Sequence, residues 1–300
     1  MKYLSLLCLS LIVFAAGCQQ QTPPASPDQE EWVSLFNGTD LSGWDLKITG
    51  RELNDNYLNT IRVEDGMLRI VYDEYEDFGP LLGHLYYEQP YSYYRLRFIY
   101  RFLGNQTPGG AVWNNRNSGV MLHSQSAQSV GFDQHFPVSI ELQLLGGLGD
   151  GERATANLCT PGTYVIFNGK ENRDHCINSS SQTYDGDQWV EVEALVLGDS
   201  IVHHIIGSDT VLSYERPMID SIFVNRDNYN WAGAGVPDPA AWEARAGQTL
   251  ASGYIALQAE SHPIDFRDIQ LLDLEGCMDP KAKNYKSYYI KSAPKRCRYE

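Results

Sequence analysis

An antiparallel β-sandwich is the fold class that the sequence predicts, and three observations carry it. Short segments rich in β-branched and aromatic residues recur along the chain, turn dipeptides such as Asp65-Gly66 separate them, and only Ala240 to Ala246 has the composition of a helix. With 43% hydrophobic residues, the 300-residue chain can bury one large β core or two small ones.

The amino terminus stands apart from that globule. Lys2 precedes an apolar run from Leu4 to Ala16, and Ala15-Ala16-Gly17-Cys18 has the form of a lipoprotein signal. On this reading residues 1–17 are removed and Cys18 carries lipid; a plain secretory peptide cut near Gly17 is the alternative. The run is too short to span a bilayer. Both readings export the protein, and the first places it in the cell envelope, anchored in a lipid membrane of the periplasm or outer membrane. Residues 18–30, polar and proline-rich, have the composition of a tether.

The β domain is expected over residues 31–275. Trp32 to Trp44 (WVSLFNGTDLSGW) reads as an entry strand and two turns. Strands follow at Ile61 to Glu64, Met67 to Tyr72, Leu81 to Tyr86 and Tyr91 to Phe102. In the last of these Tyr94, Leu96, Phe98, Tyr100 and Phe102 alternate with Tyr93, Arg95, Arg97, Ile99 and Arg101, so one face is core and the other is exposed. Trp189 to Leu197, Ile201 to Ile206 and Thr210 to Tyr214 read as a hairpin series, with His203 and His204 as strand surface. Phe223 to Gln248 is a long loop bearing Tyr229, Trp231 and Trp242. Aromatic rings there could stack on a sugar, with Trp231 a candidate binding residue, or simply pack the loop onto the sheet. Gly253 to Leu274 is the closing strand pair, with Gln258 and Glu260 on one face.

Two central strands hold the candidate site. In Pro137 to Leu145 (PVSIELQLL), Glu141 and Gln143 share a face about 7 Å apart. In Asn117 to His123 (NSGVMLH) the same alternation puts Asn117, Met121 and His123 together. If the strands are neighbours, these polar residues form one patch. The bland alternative is the solvated outer face of a sandwich.

Cys159 with Cys176, and Cys277 with Cys297, form two local pairs. In an oxidising compartment two disulfides are the simplest connectivity, and closing the first loop could contribute roughly 3 kcal/mol in the chain-entropy model. Zinc is the rival reading, though neither pair has CxxC spacing. The first pair would hold its neighbour His175 still. The formal charge of −15 argues against nucleic acid as a partner. Residues 276–300 form a basic tail, carrying +5 against −20 for the remainder.

The opening WVSLFNGTDLSGW, the NSGVMLH and SIELQLL strands, CTPGT with its partner HC, GDQWVEVEALVLGDS and the closing GYIALQAESHPIDFRDIQL together resemble the 3-keto-disaccharide hydrolase domain family. The resemblance spans Trp32 to Leu274. It implies a concanavalin/lectin-like jelly-roll form of the all-β sandwich, and carbohydrate substrates whose sugar C3 is a ketone. The tail GCMDPKAKNYKSYY…C is similar to a short cysteine-bounded module at the ends of surface and secreted proteins.

A C3 ketone acidifies the C2 hydrogen, so a base can remove it and the C1 substituent can leave by elimination, with water adding afterwards. That chemistry makes Glu141 or His123 the candidate base and His262 the candidate acid, with Asn117, Gln143, Gln258 and Arg267 orienting or polarising the substrate. Glu141, Gln143, the Asn117 turn, Gln258 and Arg267 sit on the pattern of the family that the chain resembles, whereas His123 stands where many relatives have arginine. His135 and His175 are held in reserve. A divalent metal held by His and Glu is the alternative way of polarising the ketone, although no HxH or HExxH spacing supports one. The competing function is a non-catalytic, lectin-like carbohydrate-binding module at the cell surface; a purely structural envelope protein is the third reading.

Overall fold

A computed structural model describes residues 26–224 and 229–299. The signal segment, Cys18, the tether up to residue 25 and Asn228 of the aromatic loop lie outside the described residues. Two antiparallel sheets stack face to face in a jelly-roll sandwich. In the larger sheet Tyr93–Phe102 runs between Val190–Leu197 and Ile264–Asp273, and in the smaller Asn117–Ser124 runs between Ile140–Leu145 and Tyr254–Ala259. Gly83–Tyr87 and Trp44–Ile48 extend the smaller sheet beyond Tyr254–Ala259, and Asn157–Cys159 and Cys176–Ile177 extend it beyond Ile140–Leu145.

The period-two pattern explains the core. Tyr94, Leu96, Phe98, Tyr100 and Phe102 are buried against Leu85, Val120, Leu142 and Leu257 of the facing sheet, in one continuous apolar cluster. Each such side chain contributes about 1.5–3 kcal/mol by leaving water. The intervening residues of the same strand are paired on the outside: Arg95 with Glu193 at 2.7 Å, and Arg101 with the buried Asp265 at 2.9 Å.

Both disulfides form, Cys159 with Cys176 and Cys277 with Cys297. The first joins residues that face each other across adjacent strands. The helix is shorter than its composition predicts, Pro239–Glu243, with the Asp238 side chain accepting from the Ala241 amide. His204 differs from expectation: it is buried, with Nδ1 at 3.0 Å from the Ala156 carbonyl and Nε2 at 3.1 Å from the Tyr214 hydroxyl. No helix among the described residues is long and apolar enough to cross a membrane.

The loop after Phe223 has a small core of its own. Trp231 is buried with Phe223, Val224 and Val236, stacks on Trp242 at 5.7 Å and donates to the Ser221 carbonyl. This corrects the sugar-stacking expectation for Trp231, since its ring faces are taken up inside the loop. The same loop delivers Tyr229 to the site described next.

Candidate functional site

Residues paired across an antiparallel ladder share a face, so the register draws the site. Tyr86, Ala256, Met121, Glu141, Cys159 and Cys176 form one row, and His84 with Gln258, and Gly119 with Gln143 and Asn157, the next. Leu142, Val120 and Leu257 alternate with them into the core. The rows therefore lie on the face of the smaller sheet turned away from the other sheet.

Over part of this face opens a cavity of about 770 Å3. Glu141, Gln143, Asn117 and Glu260 line its floor, with Arg153, His135, His175 and the Cys159–Cys176 disulfide around them. Phe78, Trp113, Phe136 and Tyr229 add an aromatic wall. Gly119 makes room for the central carboxyl: a methyl group there would lie 2.3 Å from Glu141 Oε1.

Glu141 and Glu260 are both buried. Burial pushes Glu141 up to about 8, and burial together with the charge of Glu141 raises Glu260 well above the usual carboxylate range. Burial and mutual repulsion thus bias both carboxyls toward their protonated forms. Arg153 supplies a cation whose field opposes the rise at Glu260. Its Nη1 donates to the Gly146 carbonyl at 2.6 Å, so the glycine turn after the Glu141 strand holds the guanidinium in place.

Neutral donors and acceptors complete the floor. Asn117 Nδ2 donates to the Trp113 carbonyl at 3.1 Å, and its buried Oδ1 has no hydrogen-bond partner among the described residues. Asn157 donates to Gln143 Oε1 at 3.2 Å. His135 Nδ1 lies 2.7 Å from the Tyr229 hydroxyl, and burial lowers the imidazole, which favours its neutral form. The loop from Gly104 to Arg116 is tied down beside Glu260, through Gln106 Nε2 to Ser261 Oγ at 3.0 Å and Thr107 N to the Ser261 carbonyl at 2.9 Å.

Of the residues expected from sequence, Glu141, Gln143 and Asn117 come together, and others do not. Strict alternation would place His123 beside Met121, but a bulge intervenes: Tyr254 pairs with Ser124 and Ala256 with Met121, leaving one extra residue on the His123 strand. His123 takes a left-handed φ of 49°, and its ring turns toward Tyr94, with Nε2 3.1 Å from the Gly198 carbonyl. It is therefore not placed as a base beside Glu141.

His262 packs edge-on against Phe102 and lines a separate shallow depression with Arg116 and Asp185, so it is not placed as the acid. Arg267 belongs to the other sheet, where it stacks on Trp189 at 4.3 Å. Its neighbour Phe266 takes the inward position, which turns Arg267 outward and away from the cavity. Gln258 is on the right face and fully buried, but it does not line the cavity.

Glu260 and Arg153 are the functional candidates that sequence reasoning missed. For Glu260 a signal existed, since it shares a face with Gln258 in the closing strand pair. Arg153 follows a glycine-rich turn and carries no periodic signal. Among the described residues no group of three or more His, Cys, Asp or Glu is arranged to hold a metal ion.

The raised carboxyls have a consequence for stability. A carboxyl whose folded pKa exceeds its unfolded value stabilises the fold fully below the unfolded pKa, and that contribution is lost as pH rises through the folded value. For Glu141 the window runs from about 4.5 to about 8. Glu141→Gln, with no proton to lose, should match the parent protein in thermal unfolding at about pH 4 and exceed it by about 8 °C at about pH 9. Equal melting temperatures at both pH values would show that Glu141 is not raised.

Residues 31–272 match the family model described as 3-keto-alpha-glucoside-1,2-lyase-like domain. Among solved structures, a candidate glycosyl hydrolase from Parabacteroides distasonis ATCC 8503 is similar at 18% identity, covering 81% of this chain and 93% of that one with a TM-score of 0.43. The carbohydrate-binding module CBM66 from Bacillus subtilis is similar at 11% identity, covering 77% of this chain and 95% of that one with a TM-score of 0.40. No curated protein matches the chain.

Proposed function

The chain belongs to the 3-keto-alpha-glucoside-1,2-lyase-like domain family, and on that premise we propose that it cleaves 3-keto-glycosides by removing the C2 proton and expelling the C1 substituent. The observation that supports this reading best is the pair of buried carboxyls, Glu141 and Glu260, in one cavity with Arg153. Elimination needs a base, a proton donor and a stabiliser of the enolate oxygen. The site has a group for each.

In this mechanism ionised Glu141 takes the C2 proton, and the C–H electrons form the C2=C3 enolate, whose oxygen is stabilised by Arg153 and the Asn117 and Gln143 amides. The enolate reforms the ketone as the C1=C2 bond develops and the C1–O bond breaks. Protonated Glu260 gives its proton to the leaving oxygen. The products are an unsaturated 3-keto sugar and an alcohol, and water adding across the double bond gives net hydrolysis. Glu141 has gained a proton and Glu260 has lost one, so transfer between them, directly or through water, restores the site.

Binding without cleavage is the second reading, supported by the aromatic wall in which Trp113 is 55% exposed and available for stacking on a sugar. We place either activity in the cell envelope, with Cys18 as the lipid anchor. The test is to incubate the exported chain with a 3-keto-glucoside and with its unoxidised parent, with and without EDTA. Cleavage of the keto sugar alone is expected. Equal cleavage of the parent would point to a two-carboxylate oxocarbenium route, and binding of sugar with no cleavage would leave the binding module. Loss of activity in EDTA would place a metal in the reaction.

A further inference from the structure

Positive charge and exposed apolar surface coincide at one end of this acidic molecule. Residues 276–300 carry seven Lys/Arg and two acids, +5 in a chain whose remainder carries −20. Two of the cations are used internally, Lys286 against Glu31 and Arg296 against Asp273. Lys281, Lys283, Lys291, Lys295 and Arg298 are exposed. Of the ten exposed large apolar side chains among the described residues, three are in this short stretch: Met278, Ile290 and Tyr299, at 41%, 53% and 57% exposure.

The tail displays these side chains from a fixed backbone. The Cys277–Cys297 disulfide closes it, and Glu275–Gly276 pairs with Lys291–Ser292. Lys283 N donates to the Arg298 carbonyl at 2.8 Å and the Tyr299 hydroxyl to Asp279 at 2.8 Å, which bring both ends of the tail together. The start of the described chain runs across the same tail. Ser287 N donates to the Pro27 carbonyl at 3.0 Å, and Lys286 pairs with Glu31. Cys18 precedes Ser26 by eight residues, a contour length of at most about 30 Å.

We propose that this tail is a membrane-contact surface, its exposed lysines meeting anionic lipid headgroups while Met278, Ile290 and Tyr299 enter the interface. Basic residues supply attraction to anionic lipid, and apolar tips supply burial at the headgroup level; neither suffices alone for stable attachment. The acidic remainder is repelled by the same headgroups, so the charge asymmetry also orients the sandwich away from the bilayer. A lipid on Cys18 would be the second attachment signal, entering from the same end.

The test uses the chain from residue 18 onward with Cys18→Ser, so that no lipid contributes. It is sedimented with vesicles of phosphatidylcholine alone and of phosphatidylcholine with phosphatidylglycerol. Binding only to the anionic vesicles, weakened by salt, is expected. Changing Lys281, Lys283 and Lys295 together to Gln should weaken partitioning about 100-fold, from roughly fivefold per lysine near a surface. Met278→Ser with Ile290→Ser should weaken what binding remains in high salt. Cleavage of a soluble keto sugar should be unchanged in these variants, which keeps this result separate from the proposed chemistry. No binding, equal binding to both vesicle types, or binding indifferent to the lysines would overturn the proposal.

Discussion

Glu141→Gln is expected to lower kcat/KM on a 3-keto-glucoside about 10³-fold while leaving the sugar bound, because general-base removal of a proton is worth 10²- to 10⁴-fold. The substitution keeps the shape that Gly119 accommodates and removes only the ionisable oxygen. The parent protein should show kcat/KM rising with pH through about 8, as burial holds Glu141 protonated below that value. In the Glu141→Gln variant the residual activity should lose this rise. Glu260→Gln tests the other half of the pair. It should cripple turnover of substrates with alcohol leaving groups and largely spare those with acidic phenol leaving groups, which depart without a proton donor. Parental turnover in the Glu141→Gln variant would remove Glu141 from the chemistry; loss of sugar binding along with turnover would make it a binding residue instead.

The second large effect is expected at a residue with no side chain. Gly119→Ala puts a methyl 2.3 Å from Glu141 Oε1 and 2.7 Å from Cγ, so the carboxylate must move. Misplacement by about 1 Å can cost about 10²-fold in rate, and overpacking typically costs about 1–3 kcal/mol of stability. Gly119 does not occupy the left-handed backbone region, so an alanine there meets a steric conflict and not a backbone one. Shortening the carboxylate isolates that conflict: Gly119→Ala with Glu141→Asp should recover stability relative to Gly119→Ala alone, as expected for contacting residues. Activity need not return, since the shorter side chain withdraws the base. If Gly119→Ala cleaves at the parental rate, the carboxylate has room that this geometry denies it.

The patterns that proved legible were local. Alternation in Tyr93–Phe102 identified its buried face, and the same rule put Glu141 and Gln143 together on a strand beside Asn117. The rule failed at His123 because one inserted residue in the ladder breaks a strict period of two. Nothing in NSGVMLH marks that bulge. It appears only when Tyr254 and Ala256 are seen pairing across it. Arg267 failed for another reason. The resemblance suggested it with no statement of which sheet it belongs to; each sheet of a sandwich has an outer face, and Arg267 lies on that of the sheet without the cavity.

By itself the sequence determined the sandwich, the two cysteine pairs, the charge division between domain and tail, and the strand carrying Glu141. Those are properties of composition and of spacing over a few residues, where backbone geometry dictates which side chains share a face. Tertiary structure alone decided that Glu260 and Arg153, from distant segments, meet Glu141 in one cavity, and that Trp231 is spent on its own loop. The suppressed ionisation of the two glutamates follows from that meeting. It depends on the exclusion of water and the approach of like charges, and both are set by which strands are neighbours.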